Sequence, residues 1–247
     1  MSITTREELD ALRHVGRIVR RALEAMRAEV RPGVTTAALD AAGARVLAAH
    51  GARSAPRLVY GFPGVNCISV NDEIVHGVGS SRVLREGDLV KLDVTAEKDG
   101  FMADAAITVV AGRAPARARA LVACAERALR RGLAAARAGR RAREVGAAVE
   151  RVVEAAGFSV VRALQGHGIG RTIHEEPSIP NWDDPEARAV LTPGLVVTVE
   201  PIVSAGSGDA VGLPDGWTVR TRDGSLAAHA EHTVVITRGA PLLLTAA

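Results

Sequence analysis

Cysteines and aromatic residues are both scarce in this sequence. Cys67 and Cys124 are the only two cysteines, which is too few for a disulfide framework. Long apolar runs are absent too: none approaches the roughly 20 residues that span a bilayer, and the charged N-terminal segment lacks the apolar core of a signal peptide. These absences predict a protein without a membrane anchor that works in the reducing cytoplasm.

Several catalytic motifs are also missing. The sequence has no Gly-x-Ser-x-Gly elbow of the kind that presents a nucleophilic serine, and no Gly-x-x-x-x-Gly-Lys loop that would bind phosphate. His167 and His174 are seven residues apart with glycines between them, so they do not form the helical His-Glu-x-x-His zinc site. Catalysis by a serine triad is therefore poorly supported.

The positive charge is carried almost entirely by arginine, and the net charge is a modest +3. Six arginines crowd the end of one predicted helix and the start of the next: Arg130, Arg131, Arg137, Arg140, Arg141 and Arg143. Such a cluster can contact phosphates, for example at the ribosome surface, or it can form a solvated helical face. Because no aromatic residue lies among them to stack on bases, we predict no specific binding of DNA.

Two acids lie inside strand-like runs between residues 88 and 108. Apolar residues alternate with Lys91, Asp93 and Thr95, which is typical of a strand, and residues 98–100 predict a turn that brings Asp104 back beside Asp93. A loop of residues 98 and 99 places the two carboxylates directly opposite, and a loop of residues 99 and 100 places them diagonally on one face. Either they form a solvated hairpin face, or a proton or cation relieves their repulsion.

Pairs of helices are predicted at the start of each half of the chain. Thr5 and Glu8 form a capping signature for the first helix, and Thr35 or Thr36 begins a second one that ends at Gly51. Residues 114–138 and 141–156 predict a second pair of helices. Short strands are expected at residues 58–60 and 67–70.

The two halves resemble each other weakly when the sequence is shifted by 106 residues. This shift places Gly33 on Gly139 and Gly51 on Gly157. We therefore expect a single catalytic domain over residues 1–247, with two pseudo-symmetric halves of about residues 1–113 and 114–247. The fold class is α+β, with two helix pairs packed on one face of a curved, mostly antiparallel sheet.

The second half also contains acids in predicted strands. Glu200 ends a strand expected over residues 195–199, and Glu231 lies in a hairpin expected over residues 217–237. His167 lies between two glycines, whose small size lets its backbone approach another group closely. Four carboxylates and one imidazole suit two divalent metal ions, because converging carboxylates without cations would repel strongly. A metal-activated water is then the nucleophile that remains.

Seven motifs, in this order and spacing, resemble the type I methionine aminopeptidases of the pita-bread metallopeptidase family M24. They are His-Gly at His76, Leu-Asp-Val-Thr around Asp93, the acid Asp104, Gly-His-Gly-Ile-Gly around His167, His-Glu-Glu-Pro from His174, Val-Glu-Pro around Glu200 and Glu-His-Thr from Glu231. The resemblance covers nearly the whole chain and implies the pita-bread, or creatinase/aminopeptidase, fold.

The resemblance implies a ligand set and a reaction. Two divalent metal ions would be bound by Asp93, Asp104, His167, Glu200 and Glu231, with Asp104 and Glu231 bridging them. Mainly oxygen donors with one imidazole favour Mn, Fe(II) or Co over a thiolate-type zinc site, and Zn is kept as a further candidate. A metal-bridging water would attack the peptide bond and release the initiator methionine from the N-termini of nascent polypeptides whose second residue is small.

The resemblance also implies roles around the metals. Glu200 would double as the general base, while His76 and His174 would contact the substrate and stabilise the tetrahedral intermediate. The methionine pocket would be lined by Phe62, Cys67, His76 and Trp217.

Three positions depart from the family pattern. Ile173 stands where many relatives have Phe, and His229 and Ala230 stand where they have Gln and an aromatic residue. We expect these changes to lie at the pocket rim, where they would alter side-chain preference and rate rather than the type of reaction.

Other functions are compatible with a pita-bread fold. An aminopeptidase P or prolidase would share the ligands, but such enzymes usually carry a large additional N-terminal domain, and here the helices begin at Thr5. A non-catalytic module that binds peptides would have lost ligands, whereas all five are present. The type II methionine aminopeptidases carry a helical insertion, for which residues 174–231 leave no room.

Overall fold

The computed structural model describes residues 1–246, and five helices lie within them. Thr5 begins the first helix, because its side-chain oxygen accepts a hydrogen bond from the N–H of Glu8 at 3.2 Å. The helices are α1 (Arg6–Glu29), α2 (Thr36–Ala49), α3 (Ala55–Tyr60), α4 (Ala116–Ala135) and α5 (Ala142–Ala155). The two predicted helix pairs are confirmed. None of these helices is both long and apolar enough to cross a membrane.

The strand predicted at residues 58–60 is wrong, because these residues end helix α3. The Ser54 side chain caps this helix by accepting a hydrogen bond from the N–H of Arg57, and Pro56 lies in its first turn. Gly61 ends it in the left-handed conformation, with φ of 73°. The helix carries Tyr60 to the edge of the cavity described below.

Fifteen short strands lie in the same residues and pair as antiparallel sheets. They are β1 (Arg53–Ser54), β2 (Cys67–Val70), β3 (Glu73–Val75), β4 (Leu89–Lys98), β5 (Phe101–Val110), β6 (Ser159–Val160), β7 (Gly166–Gly168), β8 (Glu175–Ile179), β9 (Val196–Val199), β10 (Ile202–Ser204), β11 (Ala210–Gly212), β12 (Val219–Thr221), β13 (Ala227–His229), β14 (His232–Val235) and β15 (Leu242–Leu243). The strand orders are β1-β4-β2 with β5 beside β4, β13-β10-β6, β11-β12-β3 and β15-β14-β9-β7-β8.

The hairpin of β4 and β5 has the second of the two predicted registers. Lys98 pairs with Phe101, so that residues 99 and 100 form the loop. Asp99 and Gly100 both have positive φ, 53° and 81°, as the tight hairpin turn that matches strand twist requires. Thr95 is therefore the residue opposite Asp104, and Asp93 lies diagonally from Asp104 on the same face.

The hairpin predicted over residues 217–237 is wrong in its pairing. Strand β12 pairs with β11 and β3, whereas β13 pairs with β10. Non-local contacts hold β12 in this position: the N–H of Thr221 donates to the C=O of Asp72 at 2.9 Å, and Arg220 forms an ion pair with the Asp72 carboxylate at 3.1 Å. Val219 packs in a small apolar cluster with Val75 of β3.

Helices α1, α4 and α5 pack against the apolar side chains of the strands beside them. The apolar residues Leu92 and Val94 of β4 are fully buried in a core with Leu12 and Ile18 of α1. A second core joins α4 and α5 to the strands of the second half. Asp93 alternates with these apolar residues and so faces away from the helices.

The internal repeat is visible in the bounds of the elements. A shift of 106 residues carries α2 onto α5 and β1 onto β6 without a change of either end. The isolated bridges Thr35–Val83 and Arg141–Val190 match under this shift at their first residue and differ by one position at their second. On these coincidences we propose the division into halves of about residues 1–113 and 114–247.

Threonine side chains join the sheets of the two halves. The Thr233 hydroxyl accepts from the N–H of Asp104 at 2.8 Å and donates to its C=O at 2.7 Å. Thr108 makes the same pair of contacts with His229, at 2.8 and 2.7 Å. Each hydroxyl thus replaces a backbone partner, and β5 is held beside β13 and β14.

Candidate metal centre

All ten residues singled out as ligands, catalytic groups or pocket walls line one cavity of about 160 Å³. They are Phe62, Cys67, His76, Asp93, Asp104, His167, His174, Glu200, Trp217 and Glu231. These residues are far apart in sequence, so the fold alone brings them together.

The sequence predicted Glu200 and Glu231 within strands. In the structure each lies instead in a short gap between two strands, and the two gaps are aligned. Val199 pairs with His232 on one side of the gaps and Ile202 pairs with His229 on the other, so Glu200 and Glu231 lie opposite each other. Pro201 has no N–H for a ladder, although its C=O accepts from Ala230 at 3.3 Å. The N–H of Glu231 instead donates to Ala106 on β5 at 2.9 Å, beside the aspartates.

His167 lies on strand β7, whose flanking glycines allow it to pack closely against the backbone of its neighbours. A Cβ atom at Gly166 would lie 2.6 Å from the C=O oxygen of Thr198, and one at Gly168 would lie 2.4 Å from that of Glu176. Nδ1 of His167 lies 2.8 Å from the Gly168 C=O, which only accepts, so the ring proton is on Nδ1. Nε2 therefore presents its lone pair to the cavity, 3.6 Å from Oε1 of Glu200.

Burial and mutual repulsion make the carboxylates unusually basic. Burial raises the pKa of Asp104 to about 6, and burial with the charge of Asp104 raises the pKa of Glu200 and of Glu231 well above the ordinary value. The pKa of Asp93 is raised by the same two causes. Burial lowers the pKa of His167 to about 4, so its imidazole is neutral at physiological pH. Near neutral pH these carboxylates need protons or cations.

The donor atoms have the composition and spacing of a site for divalent cations. Asp104, His167 and Glu231 each offer an atom within 4.8 Å of the others, and Glu200, His229 and Glu231 form a second such group. Oδ1 of Asp104 and Oε1 of Glu231 are buried without a hydrogen-bond partner among the described residues. Unpartnered buried carboxylate oxygens beside a neutral imidazole fit a metal ion.

Apolar and aromatic side chains form the wall beside these donors. Phe62 and Trp217 meet edge to face, with ring centroids 5.3 Å apart. Cys67 is buried and pairs with Asp93 across the sheet. His76 has a positive φ of 58°, a conformation uncommon outside glycine.

Tyr60 is a site residue that the sequence analysis missed. Its hydroxyl lies 2.6 Å from Nδ1 of His174, and the His174 ring lies 4.2 Å from the His167 ring. Assigning residues 58–60 to a strand hid this contact. The cap and proline at Ser54 and Pro56 were the local signal for the helix that creates it.

The three departures from the family pattern lie in different places. Ile173 lines the cavity, as expected. The expectation for Ala230 is wrong, because this residue is buried in the second core and is not among the residues that line the cavity. The expectation for His229 is wrong: it is 2% exposed, and Nε2 lies 3.7 Å from Oε2 of Glu200 and 3.6 Å from Oε2 of Glu231. Burial lowers the pKa of His229 to about 3. Strand alternation could have found this, since residues 229 and 231 share a face.

The arginine cluster spans the end of α4, the connection between the two helices and the start of α5. All six of its residues are exposed, and none of them lines the cavity. Arg140 and Arg143 form ion pairs with Glu144 and Asp183. Arg130 and Arg131, with Arg127 and Arg151, line a surface groove of about 1080 Å³ that has no acid among its described lining residues.

Comparison with known proteins assigns the family. Residues 10–238 match metallopeptidase family M24. The chain is 45% identical over 247 residues to methionine aminopeptidase 2 of Bacillus subtilis (strain 168), and the match covers 99% of each chain.

Solved structures agree with this assignment. The methionine aminopeptidase from Thermotoga maritima has a TM-score of 0.96 and 35% identity, with 100% of each chain covered. The prolidase from Pyrococcus furiosus, at a TM-score of 0.79 and 24% identity, covers 99% of this chain and 65% of its own, and it shows the fold alone. The predicted pita-bread fold is therefore confirmed, and the chain belongs to metallopeptidase family M24, among its methionine aminopeptidases.

Proposed function

We propose that this metal-dependent methionine aminopeptidase removes the initiator methionine from nascent chains whose second residue is small. The observation that carries the proposal is the meeting of four carboxylates and one neutral imidazole at the end of a cavity with an apolar wall. The family resemblance supplies the preference for a small second residue. Two free, buried cysteines suit the cytoplasm, where nascent chains are made.

Two divalent cations would be held by Asp93, Asp104, His167, Glu200 and Glu231. Their charge would replace the protons that the buried carboxylates otherwise need. When bound, such a pair supplies Lewis acidity, which lowers the pKa of water and polarises the scissile carbonyl. The donor set suits Mn, Fe(II) or Co better than Zn.

Glu200 is our candidate general base. The hydroxyl of Thr198 donates to its Oε1 at 3.0 Å, which fixes the carboxylate where it could take a proton from the attacking water. The carboxyl could then pass that proton to the leaving amine. The same hydroxyl accepts from the N–H of His167 at 3.0 Å, so base and ligand are positioned together.

His174 is our candidate donor to the oxyanion, and Tyr60 orients it. When the Tyr60 hydroxyl donates to Nδ1 over 2.6 Å, the neutral His174 ring carries its proton on Nε2. That N–H is then free to bind the oxygen on which negative charge develops. His76, on the same cavity wall, would contact the substrate.

The apolar wall is our candidate methionine pocket. Phe62 and Trp217 supply rigid aromatic surface, and the buried Cys67 supplies a small, polarisable one. An X-Pro peptidase remains the alternative with the same ligands. The 45% identity to a methionine aminopeptidase over 99% of each chain supports removal of methionine.

Substrate preference tests the proposal. We expect the Mn-loaded or Co-loaded protein to cleave Met-Ala-Ser and to act at least about tenfold more slowly on Leu-Ala-Ser, Met-Trp-Ser and Ala-Pro-Ser, because the pocket and the neighbouring site select by size. Released amino acids are measured by chromatography. Cleavage of Ala-Pro-Ser with Met-Ala-Ser left intact would instead support the X-Pro alternative.

The base role predicts the effect of Glu200→Gln. The amide cannot take a proton from water, so kcat for Met-Ala-Ser should fall about 100-fold or more. Glu176→Gln is the matched control, since Glu176 is exposed and lies outside the lining of the cavity. Retention of most activity by Glu200→Gln at full metal loading would remove Glu200 from this role.

Metal binding should depend on pH through Asp104. With a pKa of about 6, this carboxyl must lose its proton before it binds a cation, so Mn²⁺ affinity should fall about tenfold from pH 7 to pH 5 on its account alone. His167, with a pKa of about 4, stays unprotonated over this range. Calorimetry of metal-free protein in buffers of different ionisation enthalpy measures the released protons. A Mn²⁺ affinity that does not change between pH 7 and pH 5 would contradict the assignment of Asp104 as a metal ligand.

We further propose that the groove lined by Arg127, Arg130, Arg131 and Arg151 contacts phosphates of the ribosome surface. Arg130→Glu with Arg131→Glu should then weaken ribosome co-sedimentation at least tenfold in low salt. Arg17→Glu with Arg27→Glu, at exposed positions of α1, is the matched control. Equal co-sedimentation of both double variants would exclude this surface.

A further inference from the structure

His229 is a buried imidazole with nothing to bind. Among residues 1–246, neither of its ring nitrogens has a hydrogen-bond partner, and the side chain is 2% exposed. Its nearest polar neighbours are acids: Nε2 lies 3.7 Å from Oε2 of Glu200 and 3.6 Å from Oε2 of Glu231. Buried polar atoms are nearly always paired, so this arrangement calls for a further group.

The ring is held in this place by its backbone. Thr108 binds both the N–H and the C=O of His229, at 2.8 and 2.7 Å, and His229 pairs with Ile202 on the neighbouring strand. The side chain therefore stays on the face of β13 that points into the cavity, together with Glu231 two residues later.

The separations match those of donors that share one cation. Two donors bound at about 2.1 Å to one ion lie about 3.0 Å apart at right angles and about 4.2 Å apart in line. Both distances from Nε2 fall in this interval. Too long for hydrogen bonds, they suit a cation between the groups.

We propose that His229 is a sixth protein ligand of the metal centre, binding a cation through Nε2 beside Glu200 and Glu231. The proposal rests on the metal-dependent function proposed above and adds a second imidazole to the five donors. Two donor groups then share Glu231, one containing His167 and the other His229. A second nitrogen donor shifts the preference of the centre from Mn towards Co and Zn.

Proton NMR of the Co(II)-loaded full-length protein tests the proposal directly. Each imidazole bound through Nε2 to Co(II) keeps an Nδ1–H, whose resonance is strongly shifted and disappears in D2O. We expect two such signals, one from His167 and one from His229. His229→Gln should retain one of them, because the amide still fills the space but supplies no imidazole.

His174→Gln is the matched control, since this imidazole lies at the same cavity and is absent from both donor groups. It should retain both signals. One signal in the unmodified protein, or two in His229→Gln, would overturn the proposal and leave His229 as a group that only positions the carboxylates. If His229→Gln does not fold, the signal count of the unmodified protein still decides.

The signal count and the turnover of Met-Ala-Ser together distinguish the ligand role of His229 from the proposed function. One shifted signal together with turnover of Met-Ala-Ser would remove His229 from the ligands and leave the proposed function standing. No shifted signal and no turnover would overturn both.

Discussion

Buried carboxylates that converge on one point must be accompanied by positive charge, and the rest of this structure depends on that constraint. Asp104, Glu200 and Glu231 are each at most 9% exposed and have raised pKa values, so near neutral pH they cannot all be charged without cations. Two divalent ions would remove the repulsion and create the reactive centre in the same step. The groups that make the protein costly to fold without metal are therefore the groups that make it able to bind metal.

The surrounding fold supplies rigidity through unusual pairings. Thr108 and Thr233 use side-chain hydroxyls where a regular sheet would use backbone groups, and each joins β5 to a strand of the other half. The Thr198 hydroxyl likewise accepts a hydrogen bond from the backbone N–H of His167, and it also donates one to Glu200. A hydroxyl both donates and accepts, so one threonine can satisfy a backbone group and still orient a ligand. The positions of the proposed metal ligands consequently depend on threonines that do not line the cavity.

Local sequence patterns predicted the helices and the hairpin of β4 and β5 well, because caps, turns and apolar spacing act within a few residues. Thr5 begins α1, and the positive φ values of Asp99 and Gly100 select one of two foreseen registers. The pairing of β12 was not predictable in this way, because Asp72, more than a hundred residues earlier, holds it. For the site, ligand identities came from motif resemblance, whereas the depth of His229 follows from strand alternation and had been overlooked. Tyr60 was missed because one short apolar run fits helix and strand equally.

The two halves contribute to the centre in different ways. The first half places Asp93 and Asp104 on continuous strands, whose register leaves them no freedom. In the second half the corresponding strand is interrupted at Glu200 and Pro201, opposite a gap at Ala230 and Glu231. His229 is the last residue of β13 and precedes Glu231 by two positions, so its side chain lies on the same face as this carboxylate. Its ring reaches both glutamates from the edge of the gap, so we expect donor composition to vary beside the gaps and not on the continuous hairpin.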